Sequence, residues 1–226
     1  MQDDDKRLAA EAALGEISPG MRVGIGTGST MAFAISAIGS RLPEWPATSF
    51  YATSQATWRA ANAAGIPIGR FADVAELDLA IDGADEIDPQ LRAIKGGGGA
   101  MLREKIVAAS ARRMVVVADG SKHVAALGKA PVPVEVLPFA RSFVEARVVA
   151  LGAKPVLRIT PQRAYRTNQG NLILDCNFGI IADPATLAAA LASIPGLLGH
   201  GLFLTEVDAA YVAVGGIVTK MERPAA

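Results

Sequence analysis

Over the first 128 residues, short apolar runs alternate with longer stretches in which apolar side chains recur every three or four positions. The first pattern predicts strands and the second amphipathic helices. Residues 6–14 read as a helix with Leu8, Ala9, Ala12 and Ala13 towards the core, stopped by Pro19-Gly20. A strand over 21–25 runs into Gly26-Thr27-Gly28-Ser29-Thr30, followed by a helix whose Met31, Ala34, Ile35 and Ile38 share one face. A strand over 49–53 precedes a helix over 55–64, opened by Ser54 as cap and closed by Gly65 with Pro67 just beyond. Trp58, in mid-helix, reads as a core or interface residue. Strands over 77–81 and 91–94, a helix from residue 100 and a continuous apolar strand over 114–118 complete the series. This alternation predicts an α/β fold with a doubly wound, mostly parallel, Rossmann-like sheet, in which ligands bind outside the carboxyl ends of the strands.

Pro131, Pro133 and Pro138 mark a boundary beyond which the rhythm changes. Strands over 134–137, 155–159, 171–175 and 201–204, with helices over 141–151 and 185–194, give the order β-α-β-β-α-β of a ferredoxin-like unit. Residues 129–205 are therefore expected to form a smaller inserted domain, suited to act as a lid or an oligomer contact. Residues 1–128 and 206–226 form the α/β domain, with 211–214 returning to its sheet. The tail from Glu222 reads as frayed.

Composition narrows the function. The 226 residues are 51% hydrophobic with 23 glycines, enough for one substantial core and a second small one. Lysine plus arginine and aspartate plus glutamate number 22 each, so nothing in the balance points to nucleic acid or an anionic membrane. A lone cysteine, Cys176, excludes an internal disulfide, and with only His123 and His200 beside it leaves no metal-ligand cluster. Neither metal nor cofactor is expected. The acidic, then amphipathic N-terminus is unlike a signal peptide and no apolar run is long enough to span a membrane, so a cytoplasmic protein is expected.

The chemistry concentrates where strands end. Residues 81–108 bring Asp82, Asp85, Lys95, four consecutive glycines (Gly96, Gly97, Gly98 and Gly99) and Glu104 into one stretch. A glycine run lets backbone N–H groups approach a ligand, and the helix that follows adds its positive end, with Glu104 about one turn in. Arg103 and Lys105 read as solvated. The loop at 26–30 offers amides, hydroxyls and a helix N-terminus to an anion, most naturally a phosphate. It fits neither a dinucleotide fingerprint, since the sixth position falls on Ser29 or Met31, nor a Gly-Lys-Ser/Thr loop, and a single sugar phosphate suits it better. Lys122 follows the strand over 114–118. These groups are expected along one sheet edge.

These motifs resemble ribose-5-phosphate isomerases of the A type. The resemblance runs through GIGTGST, DGADEID, KGGGGAMLREKIVA, DGSKHVAALGKAPVPVEVLPFA, NQGNLILD and GLF, in that order, over nearly the whole chain. It implies that Thr27, Gly28, Ser29, Thr30, Asp82, Gly83, Ala84, Asp85, Lys95, Gly96, Gly97, Gly98 and Lys122 contact substrate. It further implies that Glu104 is the proton acceptor, assisted by Lys95, Asp82 and Asp85, and that Lys6 on the first helix reaches the phosphate. At the C-terminus, Ala213-Val214-Gly215-Gly216-Ile217 departs from the family's usual valine-glycine-threonine ending. The implied activity is interconversion of D-ribose 5-phosphate and D-ribulose 5-phosphate through an enediolate, a step of the non-oxidative pentose phosphate pathway, in a homodimer or homotetramer. The competing reading is a sugar-phosphate sensor that binds without turnover.

Overall fold

The computed structural model describes residues 2–224. In chain order the elements are α1 (Gln2–Ala13), β1 (Arg22–Ile25), α2 (Ser29–Arg41), β2 (Ser49–Ala52), α3 (Gln55–Ala63), β3 (Leu79–Gly83), β4 (Glu86–Ile87), β5 (Ala93–Ile94), α4 (Met101–Ser110), β6 (Met114–Asp119), β7 (Val132–Val136), α5 (Arg141–Ala150), β8 (Lys154–Leu157), β9 (Leu172–Asn177), α6 (Pro184–Ala192), β10 (Leu197–His200), β11 (Leu202–Phe203), β12 (Ala209–Val214) and β13 (Ile217–Glu222). They fall into two compact units. One holds the residues up to Ala84, Arg103–His123 and the residues from Thr205 on; the other holds Asp85–Leu102 and Val124–Leu204.

The first unit is built on a six-stranded sheet in the order β13-β12-β6-β3-β1-β2, parallel except for β13. Val23, Ile25, Leu79, Ile81, Val115 and Val117 face one core, which α2 completes with the predicted four residues, Met31, Ala34, Ile35 and Ile38. Each such large side chain taken out of water contributes about 1.5 to 3 kcal/mol. On the opposite face α4 lies close against β1: a Cβ added to Gly24 would sit 2.5 Å from Val107 Cγ1. The sheet is thus covered on both sides, which is why β6 is buried along its entire length. Helix α1 starts earlier than predicted, its first-turn Asp3, Asp4 and Asp5 suiting the positive helix end. Its buried stripe is Ala9, Ala10 and Ala13, with Leu8 and Ala12 at the margin. Trp58 is 51% exposed and so is no core residue.

A charged cluster ties the sheet's far end together. The Glu16 carboxylate accepts from Arg113 Nε (3.0 Å), Tyr211 Oη (2.8 Å) and Lys220 Nζ (2.9 Å). Burial alone would raise its pKa, but hydrogen bonds from Arg113, Lys220 and Tyr211 outweigh it and bring it down to about 2. An unfolded glutamate titrates near 4.3, so this contribution is present above that pH and lost as pH falls towards 2. Glu16→Gln should lower unfolding free energy at neutral pH by about 1 to 2 kcal/mol, given the usual worth of hydrogen bonds to charge in a partly exposed setting. Urea unfolding should show the gap between parent and variant closing below pH 4; an equal gap at pH 3 and pH 7 would remove the network from the stability account.

The second unit contains an antiparallel sheet in the order β10-β7-β9-β8, with α5 and α6, which is the ferredoxin-like order expected. Val132, Val134, Val136, Val144, Leu174 and Leu191 are at its core. Three corrections apply. Its fourth strand is β10, because Gly196 at φ +86° turns the chain early and the predicted 201–204 strand is the separate β11. The 91–94 strand shrinks to β5, since Leu91 takes φ +58° in a turn held by the Asp88 carboxylate, which accepts from the Gln90 and Arg92 N–H groups at 3.0 Å each. It pairs with β4 and β11 and is no strand of the six-stranded sheet. This pairing, with Val124 N–H donating to Ile87 O, draws residues 85–102 and 124–128 into the second unit, away from the expected boundary at 128/129. A further correction concerns the C-terminus, where β13 forms in a stretch given no element and takes in Glu222, the first residue of the tail read as frayed. It joins β12 through Gly215-Gly216, both at positive φ, the two-residue hairpin turn that matches strand twist. Residues 225 and 226 lie outside the described residues.

Candidate active site

In the first unit β1 connects to β2 on one side and the chain continues to β3, β6 and β12 on the other, so the topological switch point falls between β1 and β3. Ligand sites in such sheets lie there, beyond the carboxyl ends. The loop at 26–30 and Asp82 meet at this point. Asp82 Oδ1 accepts from Thr27 N–H (3.0 Å) and Gly83 N–H (2.7 Å), and a Cβ on Gly26 would lie 1.8 Å from that oxygen. Glycine at 26 is thus required by the close approach of a carboxylate.

The Thr27 side chain turns inwards. Its Oγ1 lies 2.9 Å from Thr53 Oγ1, 2.8 Å from Ser54 Oγ and 2.9 Å from Thr57 Oγ1, and Thr57 Oγ1 in turn donates to Gly26 O at 2.8 Å. Thr27 therefore fixes the loop against the start of α3. Gly28, at φ +131°, is the N-cap of α2, and exposed Ser29 with half-buried Thr30 forms its first turn. The backbone amides there and the positive helix end face solvent at the switch point, a setting for an anion.

Beyond β6, the Asp119 carboxylate accepts from Ser121 N–H at 3.0 Å and so closes the short turn Gly120–Lys122 that carries Lys122. Burial opposes the charge on Asp119, but the Ser121 bonds, Gln2 and the Lys122 charge together hold its pKa below the ordinary value. Gln2, at the start of α1, reaches Asp119 and Ser121 at 3.4 Å. Lys6 is one turn further along the same helical face and pairs with Asp3 at 3.0 Å.

Glu104 is in the first turn of α4 and only 3% exposed. Met101, Val107 and Ala108 are buried on the same helical stripe, so a carboxylate stands where packing alone would select an apolar side chain. Lys105, read as solvated, instead pairs with Glu206 at 3.3 Å, and burial lowers its pKa against that partner's pull.

The second unit carries the other candidates. Lys95 is 2% exposed, its N–H donates to Gly201 O (2.9 Å), and its ammonium lies 5.4 Å from the centre of the Phe203 ring. A Cβ on Gly201 would be 2.2 Å from Lys95 O, so β5 and the turn before β11 can pack this closely only with glycine there. Gly96 and Gly99 adopt positive φ (+108° and +78°), Gly99 N–H closes a turn onto Gly96 O at 2.9 Å, and Gly97 N–H donates to Asp85 Oδ2 at 2.7 Å. The glycine run is a structured loop and not a spacer. Among the described residues no three His, Cys, Asp or Glu side chains are grouped as a metal ion would need. Burial, then the Asp175 and Glu145 charges, push the Cys176 thiol up to about 12, which makes it no nucleophile.

The family described as ribose 5-phosphate isomerase A (phosphoriboisomerase A) matches residues 49–216. The ribose-5-phosphate isomerase A of Sphingopyxis alaskensis is 47% identical over 219 residues, covering 97% of this chain and 96% of that protein. The chain belongs to the ribose 5-phosphate isomerase A family. Two solved structures agree in fold over almost every residue. A D-ribose-5-phosphate isomerase in complex with phospho-erythronic acid superposes with TM-score 0.95 at 36% identity, covering 99% of this chain and 100% of that one. Ribose 5 phosphate isomerase A from Neisseria gonorrhoeae gives 0.93 at 37% identity, covering 100% and 99%.

Several residues that shape this isomerase-family chain escaped the sequence reading. Thr53 and Thr57 complete the hydroxyl cluster around Thr27, and Gln2 reaches Asp119, the charge at the end of β6 whose capping role alone went unread. The short Asp119-Gly120-Ser121 sequence was a readable cap signal. Nothing local marks Arg158, whose guanidinium bonds the carbonyls of Gly96 and Gly97 from more than 60 residues away.

Proposed function

We propose that the chain interconverts D-ribose 5-phosphate and D-ribulose 5-phosphate, with Glu104 as the proton-transferring base. The observation that carries the assignment of the base is the buried Glu104 carboxylate, five residues after Gly99 along the chain and on an otherwise apolar stripe of α4, in a member of this family. An aldose–ketose isomerase must open the sugar ring, remove a proton beside a carbonyl and return it to the neighbouring carbon. One carboxylate serves both transfers. Carbon acids are far weaker than a carboxylic acid, so the enediolate needs donors aimed at its oxygens; Lys95 and the amides of the glycine loop supply them. Asp82 and Asp85, each fastened to loop amides, hold sugar hydroxyls and assist ring opening. Gly83, Ala84, Gly96, Gly97 and Gly98 offer backbone contacts. The reaction requires no metal or nicotinamide.

The phosphate is assigned to the α2 N-terminus with Ser29 and Thr30, to Lys122 and to Lys6, while Thr27 holds the loop. Lys122→Ala should raise KM for ribose 5-phosphate about 10- to 100-fold, the worth of a charge-assisted hydrogen bond, with a smaller change in kcat. Free ribose should be a very poor substrate; equal turnover of ribose and its phosphate would remove the phosphate assignment. The enzyme is proposed to be cytoplasmic and a homodimer or homotetramer, which analytical ultracentrifugation reads directly. No helix among the described residues is long and apolar enough to cross a membrane.

A coupled assay for ribulose 5-phosphate formation tests the activity itself. Tight binding of ribose 5-phosphate with no product would favour a sensor instead.

A further inference from the structure

We propose that Arg158 is a positioning residue for isomerisation: it clamps the carbonyls of the glycine loop so that the Gly98 N–H is presented to the substrate. The inference rests on the isomerase reading of that loop. Arg158 follows β8, and its Nε donates to Asp175 Oδ2 on β9 at 2.9 Å while Nη2 contacts Asp175 Oδ1. The paired carboxylate fixes the plane of the guanidinium, and its remaining nitrogen, Nη1, donates to Gly96 O and Gly97 O at 3.0 Å each. The Tyr165 ring lies 5.8 Å from the guanidinium, its N–H donates to Arg158 O at 2.9 Å, and its hydroxyl donates to Gly98 O at 3.4 Å. A Cβ at Gly99 would come within 2.4 Å of that hydroxyl, so the loop and the tyrosine meet without room for a side chain.

Three consecutive carbonyls thus turn towards Arg158 and Tyr165. All peptides here are trans, and in a planar trans peptide the N–H points opposite the carbonyl before it. The amides of Gly97 and Gly98, each opposite a carbonyl that Arg158 holds, must therefore point away from it. Gly97 N–H goes to Asp85 and Gly99 N–H to Gly96 O. Gly98 N–H is left in an exposed stretch as the amide open to a ligand. A guanidinium on the Gly97 carbonyl also polarises the Gly97–Gly98 peptide, which strengthens that N–H as a donor to developing negative charge. A purely structural Arg158–Asp175 pair would need neither carbonyl contact.

The test uses the full chain with Arg158→Ala, Arg158→Lys and Tyr165→Phe. Arg158→Ala should lower kcat about 10²-fold, the scale of a small misplacement of a catalytic group, while KM moves less than about threefold. Affinity for phospho-erythronic acid, whose carboxylate places charge where an enediolate would, should fall with kcat/KM. Guanidinium ion should restore part of the activity of Arg158→Ala and none to Lys95→Met. Arg158→Lys should stay well below the parent, because an ammonium cannot grip Asp175 and two carbonyls in one plane. A parent-like kcat in Arg158→Ala, or a loss confined to KM, overturns the clamp. Should Arg158→Ala fail to fold, Tyr165→Phe, which deletes only the hydroxyl on Gly98 O, decides: a clear fall in kcat supports the clamp and an unchanged kcat refutes it. A parent chain without turnover fails the isomerase reading alone, and the clamp is then judged by hydrogen exchange of the Gly97 to Gly99 amides, which must quicken in Arg158→Lys.

Discussion

Glu104→Gln is expected to lower kcat for ribose 5-phosphate by about 10² to 10⁴, the usual contribution of a positioned proton-transfer group, while substrate binding survives. Glutamine keeps the length and hydrogen-bonding capacity of glutamate but accepts no proton. The side chain is held by α4, which packs against Gly24 of β1 so closely that no Cβ fits, and Val107 makes that contact one turn along the stripe from Glu104. The variant should therefore leave the helix in place. Asp82 and Asp85 are rival bases, yet each has an oxygen committed to loop amides, Asp82 to Thr27 and Gly83, Asp85 to Gly97. Exchange of the substrate's C2 proton with solvent deuterium separates them. It should stop in Glu104→Gln even where ring opening continues; exchange near the parent rate there, with loss in Asp82→Asn or Asp85→Asn, would move the base to an aspartate.

The parts of this design that were legible in the sequence are those written by local periodicity. A parallel strand covered on both faces needs an unbroken apolar run, so β6 was readable, and α2 needs one apolar face, so its four core residues were readable as well. Strands of two residues carry no period. Hence β4 was missed and β5 and β11 were misassigned, and with them the membership of residues 85–102. Strand β13 was missed because an exposed edge strand, with Thr219, Lys220 and Glu222 outward, has the composition of a tail; only Gly215-Gly216 announced it. Glycine motifs located the loops, but not what holds them. The inward turn of the Thr27 hydroxyl and the reach of Arg158 to Gly96 and Gly97 depend on tertiary packing between residues 26 to 62 positions apart.

Lys95→Met should lower kcat about 10²- to 10³-fold, the loss that follows removal of one donor from an oxyanion site, with KM little changed. Methionine keeps most of the aliphatic stem and volume and deletes only the charge. The backbone that presents the side chain should survive, since Lys95 N–H remains bonded to Gly201 O and β5 remains paired with β4 and β11. At 2% exposure the ammonium acts through a medium of low effective dielectric, where a charge stabilises a nearby anion far more than it would in water. In the proposed reaction the enediolate carries that anionic charge and the ground-state carbonyl does not, so the interaction is expected in the transition state and its loss is expected to fall on kcat. Lys95→Arg should not rescue, because the planar guanidinium is larger than the ammonium that sits 5.4 Å from the Phe203 ring. A Lys95→Met enzyme with parent kcat and a raised KM would make Lys95 a ground-state binding residue and shift the work of holding the enediolate to the loop amides alone.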